Sequence, residues 1–211
     1  MSKVLVIYAH PETAKGSSTH ELYKHFINLY VQKNPQDEII MHNVSEYMPL
    51  PLNKIAISIY NKNLAKSTLN ADEIRFNDAR QKWINEFVNA DKYVFVNPMY
   101  NLFIPAEMKS YIDIVMQAHA TFHYDETGKT VGDLHNKKII HLQSSGGIYH
   151  NGDTNEHVED LGDKYLRMML NLMGIKDYQG IFAEDMDHDP MHAVEILDQA
   201  YAKAEMAGKE F

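Results

Sequence analysis

The chain has 211 residues, 45% of them hydrophobic, enough to bury a sizeable core. Its 29 acidic against 20 basic residues give a formal net charge of -9, which argues against a nucleic-acid surface and against a polybasic membrane anchor. There is no cysteine, which excludes disulfides, thiolate metal sites and cysteine nucleophiles, and no apolar run approaches the ~20 residues that span a bilayer. The N-terminal "MSKVLVIYAHP" has a short apolar stretch and no small-residue cleavage site. A soluble, cytoplasmic protein is the expectation.

In chain order, "KVLVIYA" (3–9) is a continuous β-type run. A helix follows over 18–33, with Leu22, Phe26, Leu29 and Tyr30 on one face, and Ser18-x-x-Glu21 has the form of a capping box. "DEIIMHNV" (37–44) reads as a second strand, and 45–70, with Pro49 and Pro51, as irregular. A second helix spans 71–90, with Phe76, Ala79, Trp83, Ile84, Phe87 and Val88 inward. "KYVFVN" (92–97) is a buried strand, and 105–118 a third helix with Pro105 at its first position. Residues 121–134 read as a hairpin or a long excursion turning at Gly128. A strand at 137–144, a helix over 155–173, a strand at 177–183 and a final helix over 190–207 complete the chain.

"VLVI", "YVFV" and "KIIHL" do not alternate polar with apolar residues, so they suit parallel strands buried on both faces. The expected fold is α/β, a doubly wound five-stranded parallel sheet in the order 2-1-3-4-5 with helices on both faces. No internal repeat or linker divides it, so one domain over 1–211 is expected. Such sheets bind ligands beyond the carboxyl ends of their strands, at the point where the strand order reverses. That rule singles out "AHPETAKGSST" (9–19), "NPMYNLFIP" (97–105) and "QSSGGIYHNG" (143–152).

The first segment carries Thr13, Ser17, Ser18 and Thr19, with Gly16 just before the last three. A helix beginning near Ser18 presents unpaired N–H groups and a positive dipole end, so it suits a phosphate monoester, with His10 as a further donor. The alternative is a plain helix cap with its hydroxyls in water. The second segment is apolar where solvent is expected: Met99, Tyr100, Leu102 and Phe103 surround a lone Asn101. A flat aromatic ligand needs such a wall, although core packing would also account for Phe103. In the third, Ser144-Ser145-Gly146-Gly147 lets the backbone approach a ligand closely and aim successive N–H groups at it. The alternative there is a flexible turn.

Other groups of residues are weaker. His119-x-x-x-His123 and His188-x-x-x-His192 have metal-ligand spacing, but no H-E-x-x-H pattern accompanies them and Pro190 interrupts the second, so no metal is expected. No G-x-S-x-G elbow is present. "EDMDHD" (184–189) reads as a solvated acidic loop, and "YLRMMLNLM" (165–173) as core or subunit interface.

"PMYNLFIPAEMKSYID" together with "SSGGIYHNG", in order and spacing, resembles the FMN-dependent NADH azoreductases, a flavodoxin-like NAD(P)H reductase family that also acts on quinones. The resemblance covers nearly the whole chain. It implies ping-pong two-electron transfer from NADH or NADPH, through FMN, to a quinone or azo compound. It implies that Ser17, Ser18 and Thr19 take the FMN phosphate. Met99, Tyr100, Asn101 and Leu102 would line the isoalloxazine edge and ribityl chain, and Ser144, Ser145, Gly146 and Gly147 the pyrimidine side. No side chain need act as a catalytic nucleophile. Some members carry a serine near position 10 and an arginine at the place of Ser145. "AHPE" looks instead like the quinone reductases of the same fold, in which that histidine touches the flavin phosphate, so His10 joins the expected phosphate ligands. A homodimer is expected, with Tyr60, Phe122 and Tyr124 completing a substrate pocket, some from the partner subunit. A flavodoxin-like electron carrier and a flavin-binding regulatory subunit of a transporter would share the fold.

Overall fold

The computed structural model describes residues 1–11, 16–150, 159–187 and 191–211. The elements are β1 (Lys3–Tyr8), α1 (Ser18–Lys33), β2 (Glu38–Asn43), α2 (Lys54–Leu64), α3 (Ala71–Asn89), β3 (Lys92–Pro98), α4 (Ala106–Val115), β4 (Phe122–Tyr124), β5 (Thr130–Gly132), β6 (Lys138–Ser144), α5 (Leu161–Leu172), β7 (Asp177–Ala183) and α6 (Ala193–Glu210). Five strands make a parallel sheet in the order β2-β1-β3-β6-β7, which is 2-1-3-4-5 once the antiparallel β4–β5 hairpin is set aside.

Neighbouring residues on each strand turn to opposite faces, so each strand feeds two cores. Leu5, Ile7, Phe95 and Ile139 pack with α3, α4 and α5, through Phe87, Tyr111 and Leu166 among others. Val4, Val6, Val94 and Ile140 pack with Leu22, Phe26 and Tyr30 of α1 and with the alanine face of α6, Ala200, Ala204 and Ala207. The register sets Pro98, Ser144 and Ala183 in one row, so β3, β6 and β7 end level. Among the described residues, no helix is long and apolar enough to cross a membrane.

Several expected boundaries move. Residues 45–70 contain α2, whose N-cap Asn53 accepts from the N–H groups of Ile55 and Ala56. Its only buried residue is Ile59, so it carries little apolar periodicity to announce it. The capping box at Ser18 and Glu21 does not form: Ser17 is the N-cap, and its side chain bonds elsewhere. A capping box does form at Asn70 and Glu73 on α3. Glu73 is buried there and accepts from Ser58 and Lys62 of α2, whereas Ala79 is exposed. Pro105 is the N-cap of α4 rather than its first residue. That helix stops at Val115, whose carbonyl accepts the Thr121 hydroxyl at 2.8 Å. Helix α5 begins at Leu161, with 155–158 outside the described residues, and α6 runs Ala193–Glu210.

The expected hairpin is present and turns at Gly128, φ +82°. Its return strand docks on the end of α5, where Leu134 N–H donates to the Met173 carbonyl at 2.8 Å. The approach is so close that a Cβ on Gly132 would lie 2.2 Å from the Gly174 nitrogen. Gly132→Ala must therefore push hairpin and helix apart. We expect a loss of about 1–3 kcal/mol, read as a lower urea midpoint at unchanged m-value.

Candidate functional site

Beyond Tyr8, Ala9 N–H still donates to the Val96 carbonyl, and the chain then leaves the sheet at His10, which is 5% exposed. His10 Nδ1 lies 2.8 Å from the Pro11 carbonyl oxygen, which can only accept. The neutral ring therefore carries its proton on Nδ1, and Nε2 accepts from the Ser17 hydroxyl at 2.8 Å. Gly16, φ +85°, turns the chain into α1. Glu21 N–H is the first in α1 to bond back, to the Ser17 carbonyl. The N–H groups of Ser18, Thr19 and His20 meet no acceptor among the described residues, the ordinary condition of a helix start. Thr19 is fully buried, its hydroxyl 2.5 Å from that of Ser144. Thr13 lies outside the described residues.

The segment after β3 is held to β6 by Met99 N–H on the Ser144 carbonyl, 2.9 Å. Tyr100 and Phe103 exchange two backbone bonds, of 2.9 and 3.0 Å, closing a turn with Asn101 at φ +49° and Leu102 at φ +66°. Positive φ at both central residues is the type I′ pattern, normally filled by Asn and Gly. A leucine there costs roughly 1–2 kcal/mol, and such strain gathers at functional sites. Tyr100 and Leu102 stand half-exposed at the edge, while Phe103 packs on Tyr165.

The segment after β6 is zipped to the one after β7. Ser145 N–H donates to Ala183 O at 2.9 Å, Met186 N–H to Ser145 O at 3.3 Å, Asp187 N–H to Gly146 O at 3.1 Å and Asp185 N–H to Gly147 O at 3.2 Å. The Ser145 hydroxyl also donates to Gly147 O. These bonds use the carbonyls. The N–H groups of Gly146 and Gly147 find no acceptor among the described residues. A Cβ on Gly146 would sit 2.2 Å from an Asp187 carboxylate oxygen, so a larger residue there would have to displace that side chain.

The structure therefore gathers His10, Ser17, Ser18, Thr19, Met99, Tyr100, Asn101, Leu102, Ser144, Ser145, Gly146 and Gly147 at one sheet edge, cross-bonded to one another. It does not bring Tyr60 and Tyr124 among them. Those two line a separate apolar groove of about 800 Å³, with Leu52, Ile57, Phe76 and Arg80, between α2, α3 and the end of α4. Phe122 is buried beneath the hairpin, edge-on to Tyr124.

The first histidine pair does not share a helix face. His119 sits at φ +67° beyond the end of α4, and His123 bonds Asp133 at 2.7 Å. His188 lies outside the described residues, and His192 is the N-cap of α6. No cluster among the described residues could hold a metal ion. In 165–173, Leu166, Leu170 and Met173 are core and Met168 is exposed.

A buried polar chain beneath the edge has no counterpart in the sequence reading. Asp160, the N-cap of α5, accepts from Gln143 Nε2, so the Gln143 carbonyl oxygen faces Asn97 Nδ2 at 3.0 Å. The Asn97 carbonyl oxygen then faces His141 Nε2 at 3.0 Å, and His141 Nδ1 faces Asp163 at 2.9 Å. Both ring nitrogens of His141 thus face oxygen atoms. Asp163 also accepts from Arg167 and Tyr178, each at 2.7 Å. Its burial favours the neutral acid, but His141, His150 and Arg167 outweigh that and hold the carboxyl well below the usual range. Glu184 is buried too and accepts from Tyr149 N–H and His150, so the acidic stretch 184–189 does not begin as a solvated loop. The signal in the sequence is "HLQ": two polar residues at i, i+2 on an otherwise apolar strand share one face.

Asp163→Asn would leave Arg167 and two histidines facing a neutral amide. We expect a loss of about 3–5 kcal/mol in urea unfolding at pH 7. In the wild type the ionised carboxylate stabilises the fold above its ordinary pKa of 3.8, and that contribution fades as the pH falls below it. The gap between the two proteins should therefore narrow in acid.

Chemically, this edge offers unpaired donors at a helix start, a strained turn with apolar side chains, and a diglycine. Such a set suits a ligand with an anionic group at one end and a flat body carrying carbonyl acceptors. Known proteins share the chain's sequence and fold. Residues 2–206 match a family described by its flavodoxin-like fold. The FMN-dependent NADH:quinone oxidoreductase 2 of Lactiplantibacillus plantarum is 38% identical over 211 residues, covering all of both chains. The FMN-dependent NADH:quinone oxidoreductase 1 of Lactococcus lactis is 36% identical, again over both full lengths. Among solved structures, an FMN-dependent NADH-azoreductase of Bacillus anthracis in complex with FMN superposes with a TM-score of 0.91, at 32% identity, over 100% of this chain and 99% of that one.

Proposed function

The chain belongs to the flavodoxin-like FMN-dependent NADH:quinone oxidoreductases, and on that footing we propose that it is itself an FMN-dependent NAD(P)H oxidoreductase reducing quinones or azo compounds. The observation that carries this reading is the set of unpaired N–H donors at 18–20 and 146–147 along one sheet edge. The donor set fits FMN: a phosphate monoester for the start of α1, and a carbonyl-bearing ring for the diglycine.

In this reading Ser17 and Ser18 hold the phosphate with hydroxyl and N–H groups. Thr19 adds its N–H while its hydroxyl stays on Ser144. His10, bonded through Nε2 to Ser17 Oγ, positions that hydroxyl beside the phosphate. Met99, Tyr100, Asn101 and Leu102 wall one edge of the ring, Gly146 and Gly147 direct N–H donors at its pyrimidine side, and Ser144 and Ser145 hold that loop in place. FMN held there would supply the redox chemistry: hydride transfer from a nicotinamide and two-electron reduction of an acceptor in a separate half-reaction. The protein's part is orientation and fixed dipoles where negative charge develops.

Residues 1–211 act as one flavin-binding domain in a cytoplasmic homodimer. Support for the dimer comes from the apolar groove, whose rim leaves Leu52, Ile57, Tyr60, Leu64 and Tyr124 more than half exposed. A second copy covering it would bring Tyr60 and Tyr124 towards an acceptor. Phe122 takes no direct part and backs Tyr124.

The purified protein should be yellow, or become so with added FMN, and NADH should bleach it without oxygen. A protein that cannot be loaded with FMN refutes this reading, and a yellow protein that NADH leaves unchanged favours a carrier or regulatory role. For the dimer, Tyr60→Asp places a charge on the groove rim, and light scattering should shift from a dimer mass to a monomer mass while the urea midpoint holds.

A further inference from the structure

His150 has no place in the scheme above, yet it sits where two of the site's loops are tied. Its Nδ1 bonds a Glu184 oxygen at 2.7 Å, and the same carboxylate accepts the Tyr149 N–H at 2.9 Å and the His150 N–H at 3.3 Å. Its ring stacks flat on Phe182, centroids 3.6 Å apart and planes within 6°. Its Nε2 lies 3.7 Å from Asp160 and 3.9 Å from Asp163. The side chain is 25% exposed, so a proton can reach it.

We infer that His150 is a positioning residue that latches the Ser144–Gly147 loop to the segment after β7, keeping the loop's N–H groups set for the flavin, and that the latch holds most tightly while the ring is protonated. This rests on the flavin reading above. Four backbone bonds already join 145–147 to 183–187, and Glu184 takes the next two donors along the chain, Tyr149 and His150. The latch thus lies at the far end of the same zipper and stops it opening from there.

Among the described residues, three carboxylates gather around His150. Asp160 and Asp163 come from the start of α5 and Glu184 from the end of β7. Facing them are His141 from β6, Arg167 from α5 and His150 itself, while Tyr178 from β7 adds a neutral hydroxyl. A cation at 150 offsets part of this buried negative charge. Burial pulls the His150 pKa down, but Asp163, Glu184 and Asp160 outweigh it and raise it to about 9. A raised pKa makes the latch complete below the ordinary value of 6.5 and loosens it as the pH climbs through about 9.

The test is FMN titration of the apoprotein, followed by flavin fluorescence, from pH 7 to 10, for wild type, His150→Gln and His150→Lys. Wild-type affinity should fall about tenfold across that range. His150→Gln should already be weaker by a similar factor at pH 7 and lack that fall. His150→Lys, which keeps a positive charge, should recover part of the affinity at pH 7. Ionisation of free flavin is common to all three, so the difference between profiles isolates the histidine. Equal affinities and parallel profiles for wild type and His150→Gln overturn the latch while leaving the flavin site standing. A wild type that binds no FMN at any pH overturns both. Should His150→Gln fail to fold, the wild-type profile against Glu184→Gln decides: Glu184→Gln must flatten it, and parallel curves refute the latch.

Discussion

The level ending of three parallel strands is the constraint on which the candidate site depends. Pro98, Ser144 and Ala183 form one row across β3, β6 and β7, so the segments that follow leave the sheet side by side. Inside the sheet, ladder bonds satisfy the backbone polar groups. At the row's end the ladder runs out, and the chain must find other partners or face water. It does both. Met99 bonds back to Ser144, Ser145 to Ala183, and the Thr19 hydroxyl joins α1 to Ser144. Among the described residues, the groups left over include the N–H groups of Ser18, Thr19, His20, Gly146 and Gly147, while the carbonyls of 145–147 are taken by the segment after β7.

Holding that row rigid requires polar groups where the cores on either side are apolar, and those groups must be fully paired. Burying an unpaired charge costs several kcal/mol. The chain from Asp160 through Gln143, Asn97 and His141 to Asp163 meets this demand with no freedom of direction. A carboxylate only accepts, so Asp160 fixes the orientation of Gln143, which fixes Asn97, which fixes His141. Two acidic ends anchor a string of side chains that spans β3, β6 and the first turn of α5. Asn97 also donates to its neighbour's carbonyl at Pro98, so the string reaches the base of the second loop.

How much of this was legible follows from which forces act locally. Unbroken apolar runs and helical periodicity are local, and the five strands, their order and the hairpin could be read from them. The three loops were found because the topology rule converts strand ends into places. What escaped was decided by contacts distant in sequence. Ser18 and Glu21 spell a capping box, but the His10 ring claims Ser17 and moves the cap. Ala79 has the right spacing for the core, yet Glu73 is buried instead because α2, a mostly exposed helix, supplies Ser58 and Lys62. Glu184 looks solvated inside an acidic run until β7 delivers it to His150. Phe122 and Tyr124 are two apart in a strand and share one face, but Phe122 lies opposite Gly132, where the hairpin docks on α5, and is buried, while Tyr124 lies nearer the turn and is exposed.

The conformation of the loop tips bears on what such a site selects. Leu102 is held at positive φ, and Gly146 is pressed against Asp187, so neither tip can relax far without breaking bonds to its neighbours. Free N–H groups cost nothing while water reaches them. Once a ligand covers them, each unmatched donor costs about 1–3 kcal/mol. A flat hydrocarbon could satisfy the apolar wall of Tyr100 and Leu102 but would leave the donors of Gly146, Gly147 and the α1 start unmet. A ring with acceptors along one edge and an anion on a tether meets both demands at once. Discrimination is thus built from donors that must not be left without a partner, and it needs no charged side chain in the pocket wall.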